Sequence, residues 1–145
     1  MSWTKQTRKA ALRTKVWVQV GSVKDAVEIA RGCKPDVLVV QGTDAGGHGL
    51  AQGAGIVSLL LEVANAVEAL AKGGTVEEMP LLMAVGGIVG GRGVAAALVL
   101  GAAGVAMGTR FLASAEANIA AGYRDEVVRA SDSGQNTVGT KSIIL

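Results

Sequence analysis

A parallel α/β fold with its ligand site on one rim is predicted by three features of this chain. Short apolar runs alternate with amphipathic helical stretches at intervals of about thirty residues, the arithmetic of repeated βα units. The run Val37 to Val40 is wholly apolar, as expected of a strand buried on both faces of a parallel sheet. Each strand end is followed by glycine, at Gly21, Gly42, Gly86-Gly87 and Gly108. Right-handed crossovers place all these ends on one rim, where ligands of such sheets bind.

The first strand is Val16 to Val20. Ser22, with Asp25 three residues on, starts a helix carrying Val23, Ala26, Val27 and Ala30 at helical spacing, and Gly32 closes it. After Pro35 comes the second strand, Val37 to Val40, and then a glycine-rich loop. From Ile56, the residues Leu59, Leu60, Val63, Val67 and Leu70 mark a second helix, ended by Lys72, Gly73 and Gly74. Pro80 introduces the third strand, Leu81 to Val85. Gly86-Gly87-Ile88 leaves it, a short loop spans Val89 to Gly91, and Val94 to Leu100 is a third helix ending at Gly101. The fourth strand, Ala103 to Met107, runs into Gly108-Thr109-Arg110. Short helical pieces follow Ser114, including Tyr123 to Ala130, before a tail rich in Ser, Gly, Asn and Thr.

With 145 residues, half of them apolar, the chain is long enough for one domain with a true core. That domain is expected over residues 16–130, between a solvated, poorly ordered basic leader (1–15) and a polar tail (131–145) in which Ser131 to Thr140 reads as a surface loop. Net charge is only +2, and the basic residues that cluster (Lys5, Arg8, Lys9, Arg13, Lys15) have no aromatic residue among them to stack on bases. This argues against nucleic acid. As a transit peptide the leader is too short and too poor in serine. The longest apolar tract, Val94 to Gly108, falls short of the roughly 20 residues that span a bilayer and is broken by Gly101 and Gly104, so no membrane segment is expected. Cys33 is the one cysteine, which excludes an intrachain disulfide and a cysteine metal site. It is expected as a small buried thiol in a reducing, cytoplasmic setting. One histidine with scattered carboxylates lacks ligand spacing, so no metal site is expected.

The chemistry concentrates in Gln41-Gly42-Thr43-Asp44-Ala45-Gly46-Gly47-His48-Gly49, which follows the second strand. It carries the only histidine, His48, at a strand's C-terminal end, where glycines let the backbone approach a ligand. Histidine there can exchange protons near neutral pH. Asp44 is either a second acid or base or a loop aspartate bonding its own backbone. The glycine turns Gly86-Gly87 and Gly108-Thr109 end successive strands, and exposed amide groups there, with the partial positive charge of a short helix N-terminus, make a phosphate cradle. Arg92 and Arg110 are further phosphate candidates, Arg110 with an ion pair as its alternative.

From Val16 to Thr140 these residues resemble the FMN-dependent nitronate monooxygenases, formerly 2-nitropropane dioxygenases. The pieces that carry the likeness are Val18-Gln19-Val20, the Gln41 to His48 motif, Gly86-Gly87-Ile88 with Gly91-Arg92-Gly93, and Gly104 to Leu112. The resemblance implies a TIM-type (β/α) barrel, of which these four strands are approximately strands 5 to 8, a half barrel. It implies His48 as catalytic base or substrate-orienting residue and FMN held by Gln41, Gly46, Gly86, Gly87 and the turn Ala106, Met107, Gly108 and Thr109. Asp44 stands where the family more often has glutamate, and Gly90-Gly91 replaces the more usual acidic residue before glycine. The implied activity is oxidation of an alkyl nitronate or nitroalkane by dioxygen to a carbonyl compound and nitrite. Two alternatives stand beside it: an FMN-dependent enoyl-thioester reductase, and a non-catalytic half barrel that binds a phosphate ligand or a partner chain. The open edges of a half barrel also predict self-association.

Overall fold

The computed structural model describes residues 2–131 and 139–141. Its elements are α1 (Ser2–Ala10), β1 (Trp17–Val20), α2 (Val23–Cys33), β2 (Val37–Gln41), β3 (Gly47–Gly49), α3 (Ile56–Lys72), β4 (Leu81–Val85), α4 (Gly91–Val99), β5 (Gly104–Ala106), α5 (Thr109–Leu112), α6 (Ala121–Arg129) and β6 (Gly139–Lys141). Four strands form one sheet in the order β1-β2-β4-β5, every pair parallel, and β3 pairs with β6 apart from it.

Side chains alternate across a strand, so each strand has two faces. Val20, Leu38, Val40, Leu82 and Ala84 point to one face and are buried there with Ala26 of α2, Leu60, Val63 and Val67 of α3, and Ala97 of α4. The stripe that marked α3 in the sequence is its buried side, with Ile56, Leu59, Leu60, Val63, Val67 and Leu70 all in the core. The other face is more open than expected for strands buried on both sides. Parallel register sets Gln19, Val39, Met83 and Gly104 in one row across that face and Gln41, Val85 and Ala106 in the next, while Trp17 and Leu81 remain 56% and 59% exposed. The physical reason is the helix layer: α2, α3 and α4 all contribute to the core on the first face.

Several ends differ from expectation. Ser22 caps α2 as its spacing suggested, its Oγ accepting the Asp25 amide at 3.1 Å. The helix runs through Gly32, however, and closes at Lys34, whose φ of 45° is left-handed. Pro35 disfavours the helical region for Lys34, which accounts for the stop there. α4 begins at Gly91 instead of Val94, and α5 is a single turn of helix directly after Gly108.

The segment expected as a poorly ordered leader contains α1, with Thr4 buried. Asp36 ties this segment to the sheet: its carboxylate accepts the Val16 amide at 2.8 Å and pairs with Lys15 at 3.0 Å and Arg8 at 3.1 Å. Arg8 also donates to the Lys34 carbonyl. The Val16 amide bond, reinforced by Lys15, holds the Asp36 carboxyl below its ordinary range. Of the expected tail, residues 132–138 and 142–145 lie outside the described residues, while Gly139 and Thr140, expected in a surface loop, belong to strand β6 (Gly139–Lys141). No described helix is long and apolar enough to cross a membrane, and no cluster among the described residues could hold a metal ion. Cys33 is half-buried rather than fully buried.

Candidate active site

The C-terminal ends of β1, β2, β4 and β5 share one rim, and the loop after β2 is built onto it by close backbone contacts. Gly42 donates to the Val85 carbonyl at 3.0 Å, joining the start of the loop to the end of β4. A Cβ on Gly42 would lie 2.4 Å from the Ile56 nitrogen, so only glycine lets the loop pass the first turn of α3. Thr43 donates to the Ala54 carbonyl at 3.0 Å, closing the loop at its base. Asp44 Oδ2 accepts the Ile56 amide at 2.7 Å. This carboxylate therefore satisfies a helix N-terminus twelve residues on, a third role beside the acid-base and own-backbone alternatives.

His48 sits in β3, exposed, opposite Thr140 of β6. Its carbonyl oxygen accepts Gln41 Nε2 at 3.0 Å, and Gln41 Oε1 accepts Gln19 Nε2 at 2.7 Å. Gln19, Gln41 and His48 line a cleft of about 870 Å³, together with Gly47, Leu50 and Asp25. Of the residues assigned to catalysis and cofactor, Gln41 and His48 are thus brought together. Gly46 lies in the same loop without lining the cleft, and the turns at Gly86-Gly87 and Ala106 to Thr109 lie along the rim beyond it. Register aligns Gln41 with Val85 and Val85 with Ala106, so these turns leave adjacent strands at the same level.

The glycines divide by what their own chain demands. Gly86 has φ +112° and a Cβ there would meet the Ala45 nitrogen at 2.9 Å; Gly87 has φ +66° and would meet Asp44 Cβ at 3.0 Å. Loop packing and backbone conformation alone account for those two. Gly46 and Gly108 are different, having no positive φ and nothing within 4 Å of an added Cβ. The fold places no steric demand on them, whereas close approach by a bound molecule would. Gly49, Gly90, Gly91 and Gly122 are open in the same way, and Gly108 immediately precedes the short helix α5 at the end of β5. Phosphate sites of (β/α) barrels recur at such a place. Met107 is half-buried and packs against the core, while Ala106 and Thr109 are exposed. Arg92 and Arg110 occupy the first turns of α4 and α5, both exposed.

Sequence reasoning assigned no role to Gln19. The available signal was a polar residue between Val18 and Val20, on the strand face that also carries Gln41.

Comparison with known proteins places this geometry. The nitronate monooxygenase family model matches residues 4–139. A nitronate monooxygenase of Metarhizium robertsii is 57% identical over 141 residues, covering 96% of this chain and 37% of the relative. A Mycobacterium tuberculosis protein named as a hydroxy-methyl-oxo-octahydroindene-carboxyl-CoA dehydrogenase is 40% identical over 100 residues, covering 69% of the chain and 25% of the relative. Among solved structures, the M276A mutant of FabK from Thermotoga maritima superposes with a TM-score of 0.74 at 31% identity, over 90% of this chain and 39% of that one. Nitroalkane oxidase from Streptomyces ansochromogenes gives 0.70 at 27% identity, over 86% and 34%. The chain therefore spans well under half the length of these proteins, and its parallel α/β sheet corresponds to part of a TIM-type barrel.

Proposed function

The chain belongs to the nitronate monooxygenase family, a family of oxidoreductases, and from that premise we propose that its rim binds FMN and serves the oxidation of alkyl nitronates and nitroalkanes by dioxygen. The observation that carries the reading is the pairing of His48 and Gln41 on one cleft, beside glycines at positions 46 and 108 that the fold itself does not require. When bound, FMN would supply the redox chemistry between the substrate and dioxygen, with a carbonyl compound and nitrite among the products.

The protein's part is binding, orientation and one proton transfer. Amide groups around Gly87 and Gly108 would hold the phosphate, supported by the first-turn amides of α5, while Gly46 would let the loop backbone lie against the cofactor. Gln41 would contact the flavin from the end of β2. His48 accepts the α-proton of a neutral nitroalkane on a ring nitrogen, generating the nitronate in place. A preformed nitronate needs no such step. Asp44, engaged by the α3 N-terminus, holds the loop that carries His48. Replacing His48 with Asn abolishes turnover of nitroalkane and spares much of the activity on preformed nitronate; equal loss with both substrates refutes the base assignment.

A second reading is favoured by the mycobacterial relative, whose name specifies dehydrogenation of a carboxyl-CoA compound. An FMN-dependent enoyl-thioester reductase would use the same rim. Anaerobic bleaching of bound flavin by NADH or NADPH supports that reading, whereas bleaching by nitronate alone supports the monooxygenase. The open sheet bears on assembly under either reading. Among the described residues, β1 and β5 each have a strand neighbour on one side only, so their free edges are available to pair with a second copy of the chain. A folded monomer in light scattering counts against that self-association.

A further inference from the structure

We propose that Gln19 is a positioning residue that holds the Gln41 amide by its oxygen end and thereby keeps the His48 strand in place. The two bonds form a directed relay: Gln19 Nε2 donates to Gln41 Oε1 at 2.7 Å, and Gln41 Nε2 donates to the His48 carbonyl at 3.0 Å. An amide side chain can turn end for end at little intrinsic cost, so its orientation is decided by its partners. Here one partner leaves no choice. A backbone carbonyl only accepts, so Gln41 presents its NH₂ group to His48 and its oxygen to Gln19, and Gln19 in turn presents its NH₂ group.

Two consequences follow for the cleft that all three residues line. The second Nε2 proton of Gln41 remains beyond the one given to His48, so Gln41 keeps a donor to offer a bound molecule. β3 is also only three residues long, paired with β6, and the relay attaches it to the main sheet through the ends of β1 and β2. Losing the relay frees the backbone of His48 from the sheet without touching its imidazole. This deepens the reading of His48 and Gln41 given above and rests on it for its functional meaning, while the relay itself is a property of the chain without cofactor.

Polarity, volume and charge are separated by three substitutions at exposed Gln19, where refolding is no obstacle. Gln19→Glu faces an acceptor toward Gln41 Oε1, Gln19→Met keeps the volume and removes the donor, and Gln19→Lys restores a donor. Hydrogen exchange of the amides of residues 47–49 is followed in the flavin-free chain. The expected result is acceleration of about fivefold in the Glu and Met variants, the loss of one net hydrogen bond, and a rate near wild type in the Lys variant. Wild-type exchange in either the Glu or the Met variant overturns the proposal, as does equal acceleration in all three. Because no flavin is present, failure of FMN to bind the chain leaves this result standing, and failure here leaves the FMN reading standing. In active preparations, the Glu and Met variants lower kcat on nitroalkane more than they raise KM; a change in KM alone overturns the positioning role.

Discussion

Gly42→Ala is the substitution with the most determinate physical outcome. Its new Cβ would meet three backbone or near-backbone atoms of one residue, the Ile56 nitrogen at 2.4 Å, Cα at 2.7 Å and Cβ at 2.8 Å. No side-chain rotation relieves that overlap. Either the first turn of α3 moves away or the loop lifts from the end of β4, where the Gly42 amide bonds the Val85 carbonyl. Moving α3 also stretches the 2.7 Å bond between Asp44 and the Ile56 amide. Overpacking a tight site costs about 1–3 kcal/mol, and a bond to a charged acceptor contributes about 1.5–3 kcal/mol, so a loss of roughly 3–5 kcal/mol follows. For a domain of this size that lowers Tm by roughly 10–15 °C. Urea unfolding followed by circular dichroism measures it, with a lower midpoint and an unchanged slope expected. A variant as stable as wild type refutes the claim that glycine is required by this contact.

The complementary pair is Gly46→Ala and Gly108→Ala, where the added methyl enters open space. Stability should stay within about 0.5 kcal/mol of wild type while FMN affinity falls at least tenfold, as read by flavin fluorescence; unchanged affinity removes both from the cofactor site. Asp36→Asn should destabilise by about 1–2 kcal/mol near neutral pH, chiefly through the weakened Val16 bond, since exposed ion pairs add little. The sign with pH follows from a folded carboxyl held below its ordinary 3.8: the stabilisation is present above that value and is lost as pH falls through the lower folded value. The gap between wild type and Asp36→Asn in urea midpoints should therefore close in acid, and a gap that widens there contradicts the assignment.

Long, strongly periodic elements were legible before any coordinates. The α3 stripe from Ile56 to Leu70, the apolar run of β2 and the Ser22 cap each express a local rule that tertiary structure did not override. Element ends were less legible, because they depend on single backbone choices such as the left-handed Lys34. α1 was hidden by composition: its helix is charged, and what orders it is a contact with Asp36, more than twenty residues away. β3 and β6 were hidden for a related reason, since three-residue strands carry no period and their pairing joins residues some ninety positions apart. Within the site, the glycine loop and His48 stood out by spacing alone. The division between glycines needed by the fold and glycines left unexplained by it required the positions of Ile56, Ala45 and Asp44.

The most direct test of the central claim is titration of the purified chain with FMN, followed by quenching of flavin fluorescence, with size and circular dichroism measured on the same sample. The account predicts saturable quenching by a folded chain, weakened in Gly46→Ala and Gly108→Ala. A folded chain that leaves flavin fluorescence unchanged at every concentration contradicts it.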